Sequence, residues 1–443
     1  MVRRMSSGRL SKAAISLRSS FWFLPALIVL ASVGVAVGLV ALDRQLDGSP
    51  AERWPSLFAS DADGARELLA TIAGSMITVA GVVFSITIAA LAQAASQYTS
   101  RVLRNFMRDR GNQTVLGVFL GVFAYCIVVM HTIIPGGEED FVPLAAVAGG
   151  LVLALVAVAF LVYFIHHVAA LVQSGEVARS IAVDTLEAID RMCHEPLDNG
   201  AGPQEPDSGT LQWHPVCAPE MGYIEHVDLR GLADLARKRG VVVRMDQWVG
   251  GFCTPDRPVA SIATGNAQPP DEDTVRCVAE LFAVDSYRTI GQDIGFGIRQ
   301  LVDVALVGLS PGHDDPTTAL TALDHLSVIL QRLAGRRIVP RPIRDGDTVR
   351  VIPAGPDFDD LLSLAFTQIL ENAHGNTVVL LRLLRAIEEI RAGTSHPVRL
   401  RLLDAQRANI AEVARRTASS SEARKAIEAQ LAGKPVVADM AGA

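Results

Sequence analysis

The chain has 443 residues, a net charge of -7 and a pI of about 5.8, which argues against nucleic acid as its main partner because phosphate binding needs a basic surface. Its mean hydropathy of +0.30 and 50% share of hydrophobic residues are high for a soluble protein. The five cysteines are scattered without paired spacing, which favours reduced thiols over a zinc site or a disulfide framework.

Four uncharged runs lie within the first 166 residues and nothing similar follows them. Bilayer hydrocarbon is about 30 Å thick and a helix rises about 1.5 Å per residue, so each run is long enough to cross. The first run is too long for the apolar part of a cleaved signal peptide and is interpreted as an uncleaved anchor. The predicted membrane helices are Phe21–Leu42, Leu68–Ala92, Thr114–Ile134 and Val142–His166.

The loops that flank these runs alternate in charge. The arm of residues 1–20 and the loop after the second run are rich in arginine, whereas the loops after the first and third runs are mainly acidic. Under the positive-inside rule this pattern places the N and C termini in the cytoplasm. No run carries a charged residue at its centre, which argues against a transporter driven by protons or sodium.

The second run carries a stripe of small and hydroxyl-bearing residues with alternating steps of three and four. Such a stripe forms one seam of a helix. Two interpretations remain open: a packing seam inside the four-helix bundle, or the lining of a pore in a homo-oligomer, where hydroxyls and small side chains border water. The candidate pore-lining residues are Ser75, Thr78, Val82, Ser85, Ala89, Ala92 and Ser96.

Three arginines follow this helix with helical spacing: Arg101, Arg104 and Arg108. On a helix they share one face, where they could contact the headgroups of anionic membrane lipids or surround the cytoplasmic mouth of a pore and favour anions there. A topology signal without lipid specificity is the alternative.

Pairs of small residues four apart recur in the membrane runs, and such pairs let helices approach closely. They predict either packing inside one chain or self-association through one of these faces. The pairs are Gly34 with Gly38, Gly117 with Gly121, and Ala145 with Gly149.

Residues 167–196 are interpreted as a stalk helix, 197–220 as a Pro- and Gly-rich linker, 221–433 as a mostly helical α+β cytoplasmic domain and 434–443 as a disordered tail. Periodicity and turn signals predict the elements of that domain. The predicted strands are Gly222–Val227, Val241–Met245, Val259–Ile262 and Thr348–Pro353. The predicted helices are Leu229–Arg239, Asp271–Phe282, Arg288–Leu309, Pro316–Leu333, Phe358–Asn372, Thr377–Ala392 and Val398–Ala418.

The tail contains no recognisable catalytic or nucleotide-binding motif, so we expect neither an enzyme nor a cofactor. His313, Asp314 and Asp315 could be read as metal ligands, but three adjacent residues rarely converge on one ion. A helix corner is the preferred interpretation, with Asp315 as the N-cap and Pro316 at the first helical position.

Two segments carry a resemblance to a family. Residues 74–85 with 96–98 and 101–107, and residues 295–303 with 309–312 and 315–317, resemble bacterial predicted membrane proteins called domain-of-unknown-function family 2254. The match covers nearly the whole chain. The resemblance implies four membrane helices in a bacterial inner membrane, and it carries no established activity.

These observations favour a homo-oligomeric ion channel whose pathway is lined by the second membrane helix and whose cytoplasmic domain assembles or gates it. The alternative is a membrane-anchored sensor or scaffold, in which the helices only anchor and oligomerise. Conductance in a reconstituted bilayer distinguishes the two hypotheses.

Overall fold

In a computed structural model the chain divides into two units, residues 1–173 and 174–443. The structure describes residues 22–45, 62–97, 110–133, 141–171, 174–197, 211–265, 268–312, 315–373 and 375–433.

The N-terminal unit contains four helices, each long and apolar enough to cross a membrane, which confirms the predicted spans. The third is the central helix, since 50% of its most apolar stretch is buried, against 17% to 22% in the other three. The other three helices therefore present most of their surface to the surroundings. The helices are α1 (Phe23–Gln45), α2 (Ala62–Gln97), α3 (Arg110–Thr132) and α4 (Leu144–Leu171).

Glycines let α1 approach the central helix α3. A Cβ added at Gly117 would lie 2.7 Å from Ile28 Cδ1, and one added at Gly121 would lie 2.6 Å from Ser32 Oγ. This predicted small-residue pair thus packs inside the chain. Gly34 and Gly38 on α1 have no atom within 4 Å of an added Cβ among the described residues, so that pair contributes nothing to packing in this part of the protomer.

The end of α1 caps the start of α4. The Asp43 carboxylate accepts hydrogen bonds from the backbone N–H groups of Ala145 (3.2 Å) and Ala146 (3.1 Å). Nearby, the Tyr125 hydroxyl donates to the Ala146 carbonyl at 2.6 Å. Because the first N–H groups of a helix have no partner within it, this carboxylate satisfies donors that would otherwise remain open near the membrane.

We therefore expect Asp43→Ala to destabilise the start of α4 locally by about 1 kcal/mol, the usual effect of losing an N-cap. Hydrogen–deuterium exchange of peptides that cover residues 143–150 should become faster. Asp63→Ala, which removes an exposed acid in the first turn of α2, is the matched control and should leave this exchange unchanged. Equal exchange in the Asp43 variant and the unmodified protein would contradict the capping role.

The C-terminal unit contains nine described helices and eight strands. The helices are α5 (Ser174–Met192), α6 (Leu229–Arg239), α7 (Glu272–Glu280), α8 (Ile294–Gly308), α9 (Pro316–Ala334), α10 (Phe358–Asn372), α11 (Thr377–Arg391), α12 (Pro397–Thr417) and α13 (Ser421–Leu431). The strands are β1 (Trp213–Cys217), β2 (Gly222–Val227), β3 (Val241–Met245), β4 (Phe252–Cys253), β5 (Pro258–Thr264), β6 (Phe282–Asp285), β7 (Ile343–Asp345) and β8 (Thr348–Ile352).

The strands form two sheets. The larger has the order β1-β5-β3-β8-β7, and the smaller has the order β4-β2-β6. Only the β3–β8 pair is parallel among these ladders. Alternate residues of β3 face the core, where Val241, Val243 and Met245 are buried.

Local sequence signals place several helix ends where they were predicted. Asp228 accepts a hydrogen bond from Gly231 N–H at the start of α6, and Gly240 ends that helix with φ of +67°. Asp315 caps α9 by accepting from Thr317 N–H, and Pro316 occupies the first turn. The predicted helix corner is therefore confirmed at its described residues, while His313 and Asp314 lie outside them.

Helix α5 is part of the C-terminal unit rather than a free-standing stalk. Ile181, Thr185 and Ile189 are buried, and the helix packs on α8 and α9. It approaches α8 tightly at Gly297, where an added Cβ would overlap Thr185 Oγ1 and lie 3.0 Å from the Cβ of the same threonine. Only a residue without a side chain fits at this crossing.

A buried arginine closes the C-terminal end of α9. The Arg399 side chain, on α12, donates to the carbonyls of Leu333, Ala334 and Arg336 and lies over the ring of Phe358 at 4.7 Å. The residue is only 7% exposed, and burial lowers the pKa of its guanidinium to about 10. It therefore remains charged at neutral pH and satisfies the carbonyls of Ala334 and Arg336, while Leu333 O also accepts from Arg336 N–H at 3.0 Å.

Three predictions about this unit are corrected. Residues 213–217, assigned to the linker, form β1, because pairing with β5 satisfies their backbone groups despite the Pro-rich composition around them. The predicted helix Asp271–Phe282 ends at Glu280, and Phe282 begins β6 beside β2. The predicted helix from Arg288 begins only at Ile294, after the Asp293 cap.

Candidate functional site

The predicted stripe on α2 lies on the outside of the N-terminal unit. Its members from Ser75 to Ala92 are exposed, whereas the buried face of the helix carries Leu69, Ala73, Met76, Ala80 and Val83. At 3.6 residues per turn the two faces are about 180° apart. The stripe is therefore not the packing seam of the four-helix bundle within one chain. We call this surface the α2 outer face; its members are Ser75, Thr78, Val82, Ser85, Ala89 and Ala92.

Each hydroxyl of this face bonds back to its own helix. The Ser75, Thr78 and Ser85 side chains donate to the carbonyls of residues 71, 74 and 81 at 2.8 to 2.9 Å. The donor is satisfied locally, so each oxygen presents its lone pairs outward. The face is polar enough to border water and carries no charge.

The structure adds three residues that the sequence pattern missed. Thr71 continues the α2 outer face one turn towards the start of the helix, is exposed, and donates to Glu67 O at 2.8 Å. Gly74 and Gly81 lie beside the face, and an added Cβ at either would have no atom within 4 Å among the described residues. Their spacing of seven residues continues the pattern of the stripe and could have identified them.

Bulky apolar side chains border the α2 outer face on both sides. Ile77, Phe84 and Ile88 are exposed on one border, and Ile86 is exposed on the other. This arrangement of a narrow polar strip between apolar borders suits a helix that contacts water along one line and protein or lipid beside it.

Other predicted positions lie beyond what the structure describes. Ser96 belongs to α2, but the placement of its side chain is not described, and Arg101, Arg104 and Arg108 lie outside the described residues. Among the described residues, no group of three His, Cys, Asp or Glu side chains converges to hold a metal ion.

The C-terminal unit contains a cavity of about 190 Å³, which we call the C-terminal cavity. Met245 and Trp248 line it from the β3 side, Ile294 from the start of α8, and Ile338 and Pro353 from segments much later in the chain. Its lining is mainly apolar, with Gln292 and Asp293 as the polar contributors. Sequence analysis did not identify it, because its walls come from six separate segments.

The buried Asp293 is held at the edge of this cavity by an ion pair. Its side chain is 6% exposed; Oδ2 accepts from Arg288 Nε at 2.8 Å and Oδ1 from Phe296 N–H at 3.0 Å. Burial raises the pKa of this carboxyl, an effect that the Arg288 guanidinium opposes. The charge is thus compensated inside the protein.

Gly250 closes over this ion pair. Its φ is +92°, and an added Cβ would overlap Asp293 Oδ2 and lie 2.9 Å from Arg288 Nη2. Its N–H also donates to Ile224 O at 2.8 Å. The segment that carries Trp248 is therefore fixed against the cavity by backbone contacts, and glycine is required on grounds of both conformation and space.

Comparison with known proteins agrees with this architecture. Residues 18–389 match the model of a family described as "Predicted membrane protein (DUF2254)". The chain is 31% identical over 413 residues to the uncharacterized protein Rv1290c of Mycobacterium tuberculosis (strain ATCC 25618 / H37Rv) and to the uncharacterized protein Mb1321c of Mycobacterium bovis, covering 90% of this chain and 77% of each relative. No solved structure matches the chain. By the extent of these matches and its four apolar helices, the chain belongs to the DUF2254 family of predicted membrane proteins.

Proposed function

We propose that this protein forms a homo-oligomeric ion channel or pore in the bacterial inner membrane. In this proposal the α2 outer face of each subunit lines the pathway, and the C-terminal unit lies in the cytoplasm, where it assembles or gates the pore. The protein acts without a cofactor and performs no catalytic step. Its partners are membrane lipids, further copies of itself and the permeating ions.

The observation that carries the proposal is the position of the polar strip opposite the packed side of α2. The main alternative role for such a strip is to pack against other helices of the same chain. Leu69, Ala73 and Met76 provide that packing face instead. Hydroxyl oxygens with outward lone pairs interact better with water than with acyl chains. A central axis shared by several copies is the arrangement that gives each strip an aqueous neighbour.

The borders of the strip support assembly. Ile77, Phe84 and Ile88 would pack against the neighbouring subunit, and Gly74 and Gly81 would allow its helix to approach closely. With no fixed charge along the strip, ion selection in the membrane would be weak. Arg101, Arg104 and Arg108 would then surround the cytoplasmic mouth and favour anions there.

A bulkier side chain on the α2 outer face, which would narrow the proposed pathway, tests this proposal. We expect Ser85→Leu to reduce single-channel conductance in planar bilayers on the order of tenfold, since a ring of leucines makes an apolar constriction that excludes water. Ala31→Leu, which adds similar bulk at an exposed position of α1, is the control and should conduct normally. Equal currents for both variants would remove α2 from the pathway, and absence of conductance in the unmodified protein would contradict the channel itself.

Water access provides a second, independent test. In a chain whose native cysteines are replaced by serine, we would introduce cysteine at Val82 or at Ile77 and apply a charged methanethiosulfonate reagent. A pore predicts rapid modification at position 82 and slow modification at position 77. The reverse order, or no reaction at either position, would place the strip against lipid or protein.

A membrane-anchored sensor is the second candidate, and the C-terminal cavity favours it. Its apolar walls and few polar groups are typical of small-molecule sites. This function predicts ligand binding by the C-terminal unit in a protein that gives no conductance.

A further inference from the structure

The C-terminal cavity has the features of a preformed binding site. Its lining contains Pro340, Pro353 and Pro356, whose fixed backbone angles limit collapse of the empty space. Gly250, two residues after Trp248, lies directly against the Asp293–Arg288 pair. Walls that are rigid before binding reduce the entropic cost of accepting a ligand.

The volume limits the size of an occupant. A cavity of about 150 Å³ with apolar walls is enough to take up benzene. The 190 Å³ here therefore suits one ring, or an aliphatic group of similar size, together with a small substituent. Met245, Trp248, Ile294 and Ile338 offer such a group apolar and aromatic contacts.

The polar groups specify the chemistry of the substituent. Val227 N–H donates to Gln292 Oε1 at 3.1 Å, which orients the amide and leaves its Nε2 as the donor that this side chain offers to a ligand. Both oxygens of Asp293 already accept hydrogen bonds, and its charge is compensated by Arg288. The site therefore favours a hydrogen-bond acceptor and provides no free charge for an ionic ligand.

We propose that the C-terminal cavity binds a small uncharged molecule that combines one ring or a short aliphatic group with a carbonyl-type acceptor. The apolar part lies against Met245 and Trp248, and the acceptor receives a hydrogen bond from Gln292 Nε2. This site is independent of whether the N-terminal unit conducts ions.

The probe for the test is 4'-fluoroacetophenone, followed by fluorine NMR on the full-length protein in detergent. We expect saturable binding with a dissociation constant on the order of 0.1 to 1 mM, a value typical of a ligand with ten heavy atoms. Ala354 lines the cavity, so Ala354→Leu should fill it and weaken binding by about tenfold or more. Ala405→Leu, at an exposed position of α12, is the matched control and should bind normally.

Two further measurements test the acceptor and remain informative if Ala354→Leu fails to fold. Gln292→Glu keeps an acceptor for Val227 N–H but removes the donor, and it should weaken binding of the ketone by roughly fivefold to tenfold. 4-Fluoroethylbenzene, which lacks the carbonyl, should bind more weakly than the ketone and respond little to that variant. Identical signals from the unmodified protein and Ala354→Leu would show that the probe only partitions into detergent, and would overturn the site. Tighter binding of 4-fluorobenzoate than of the ketone would overturn the proposal that the ligand is uncharged.

Discussion

We expect Arg399→Met to lower the free energy of unfolding of the C-terminal unit by about 2 kcal/mol, because the carbonyls of Ala334 and Arg336 lose the guanidinium as donor together and each unpaired buried group costs about 1 to 3 kcal/mol. The loss is partly offset, since methionine avoids the desolvation of a buried charge. The loss at two carbonyls outweighs that gain, whereas the Leu333 carbonyl, the third acceptor of the guanidinium, keeps the Arg336 N–H at 3.0 Å.

Urea unfolding at a fixed detergent concentration measures this effect, with Trp22 and Trp54 replaced by phenylalanine so that fluorescence reports on the C-terminal unit. Arg401→Met, on the exposed side of the same helix, is the control and should change stability by less than about 0.5 kcal/mol. Arg399→Lys should lie between the two, because an ammonium lacks the planar fork. A stability equal to that of the unmodified protein would show that water satisfies these carbonyls.

The crossing of α5 and α8 gives the second large effect. We expect Gly297→Ala to destabilise the C-terminal unit by about 2 to 3 kcal/mol, because the new methyl group would overlap Thr185 Oγ1 and force the two helices apart. Helix propensity acts in the opposite direction, since alanine is favoured over glycine by about 1 kcal/mol within a helix. The overlap dominates because Thr185 is fully buried and has no room to move.

A double-mutant cycle isolates this contact. Thr185→Ala removes the overlapping hydroxyl, so the double variant should recover more than about 1 kcal/mol relative to Gly297→Ala alone. Gly291→Ala is the control, since an added Cβ there meets only Thr289 Oγ1 at 3.8 Å, and it should have a small effect. Additive effects of the two substitutions would show that the strain at position 297 has another source.

Hydropathy was sufficient to predict the four membrane helices, because crossing a bilayer requires an uninterrupted apolar segment that is a property of consecutive residues. Local chemistry likewise predicted the caps at Asp228, Gly240 and Asp315, since each depends on hydrogen bonds within one helical turn. Composition misled at residues 213–217, where pairing with a strand over 40 residues later outweighs local turn preference.

The candidate sites likewise have features that the sequence predicts and features that only the packing decides. The spacing of Ser75, Thr78 and Ser85 showed from the sequence alone that these residues share a face, because helical periodicity fixes their relative directions. The direction of that face was decided by the opposite face, where Leu69, Ala73 and Met76 pack inside the unit. The sequence pattern does not show which of the two faces is buried.

The sequence by itself determined the class of this protein, the presence of its membrane segments and most helix boundaries of the C-terminal unit, because those depend on the solvent preference and hydrogen bonding of neighbouring residues. Only the tertiary structure placed the polar strip of α2 on the outside, joined Arg399 to the end of α9 and brought Met245, Gln292 and Pro353 around one cavity. Such features depend on contacts between residues far apart in the chain, whose geometry is set by the packing of the whole unit.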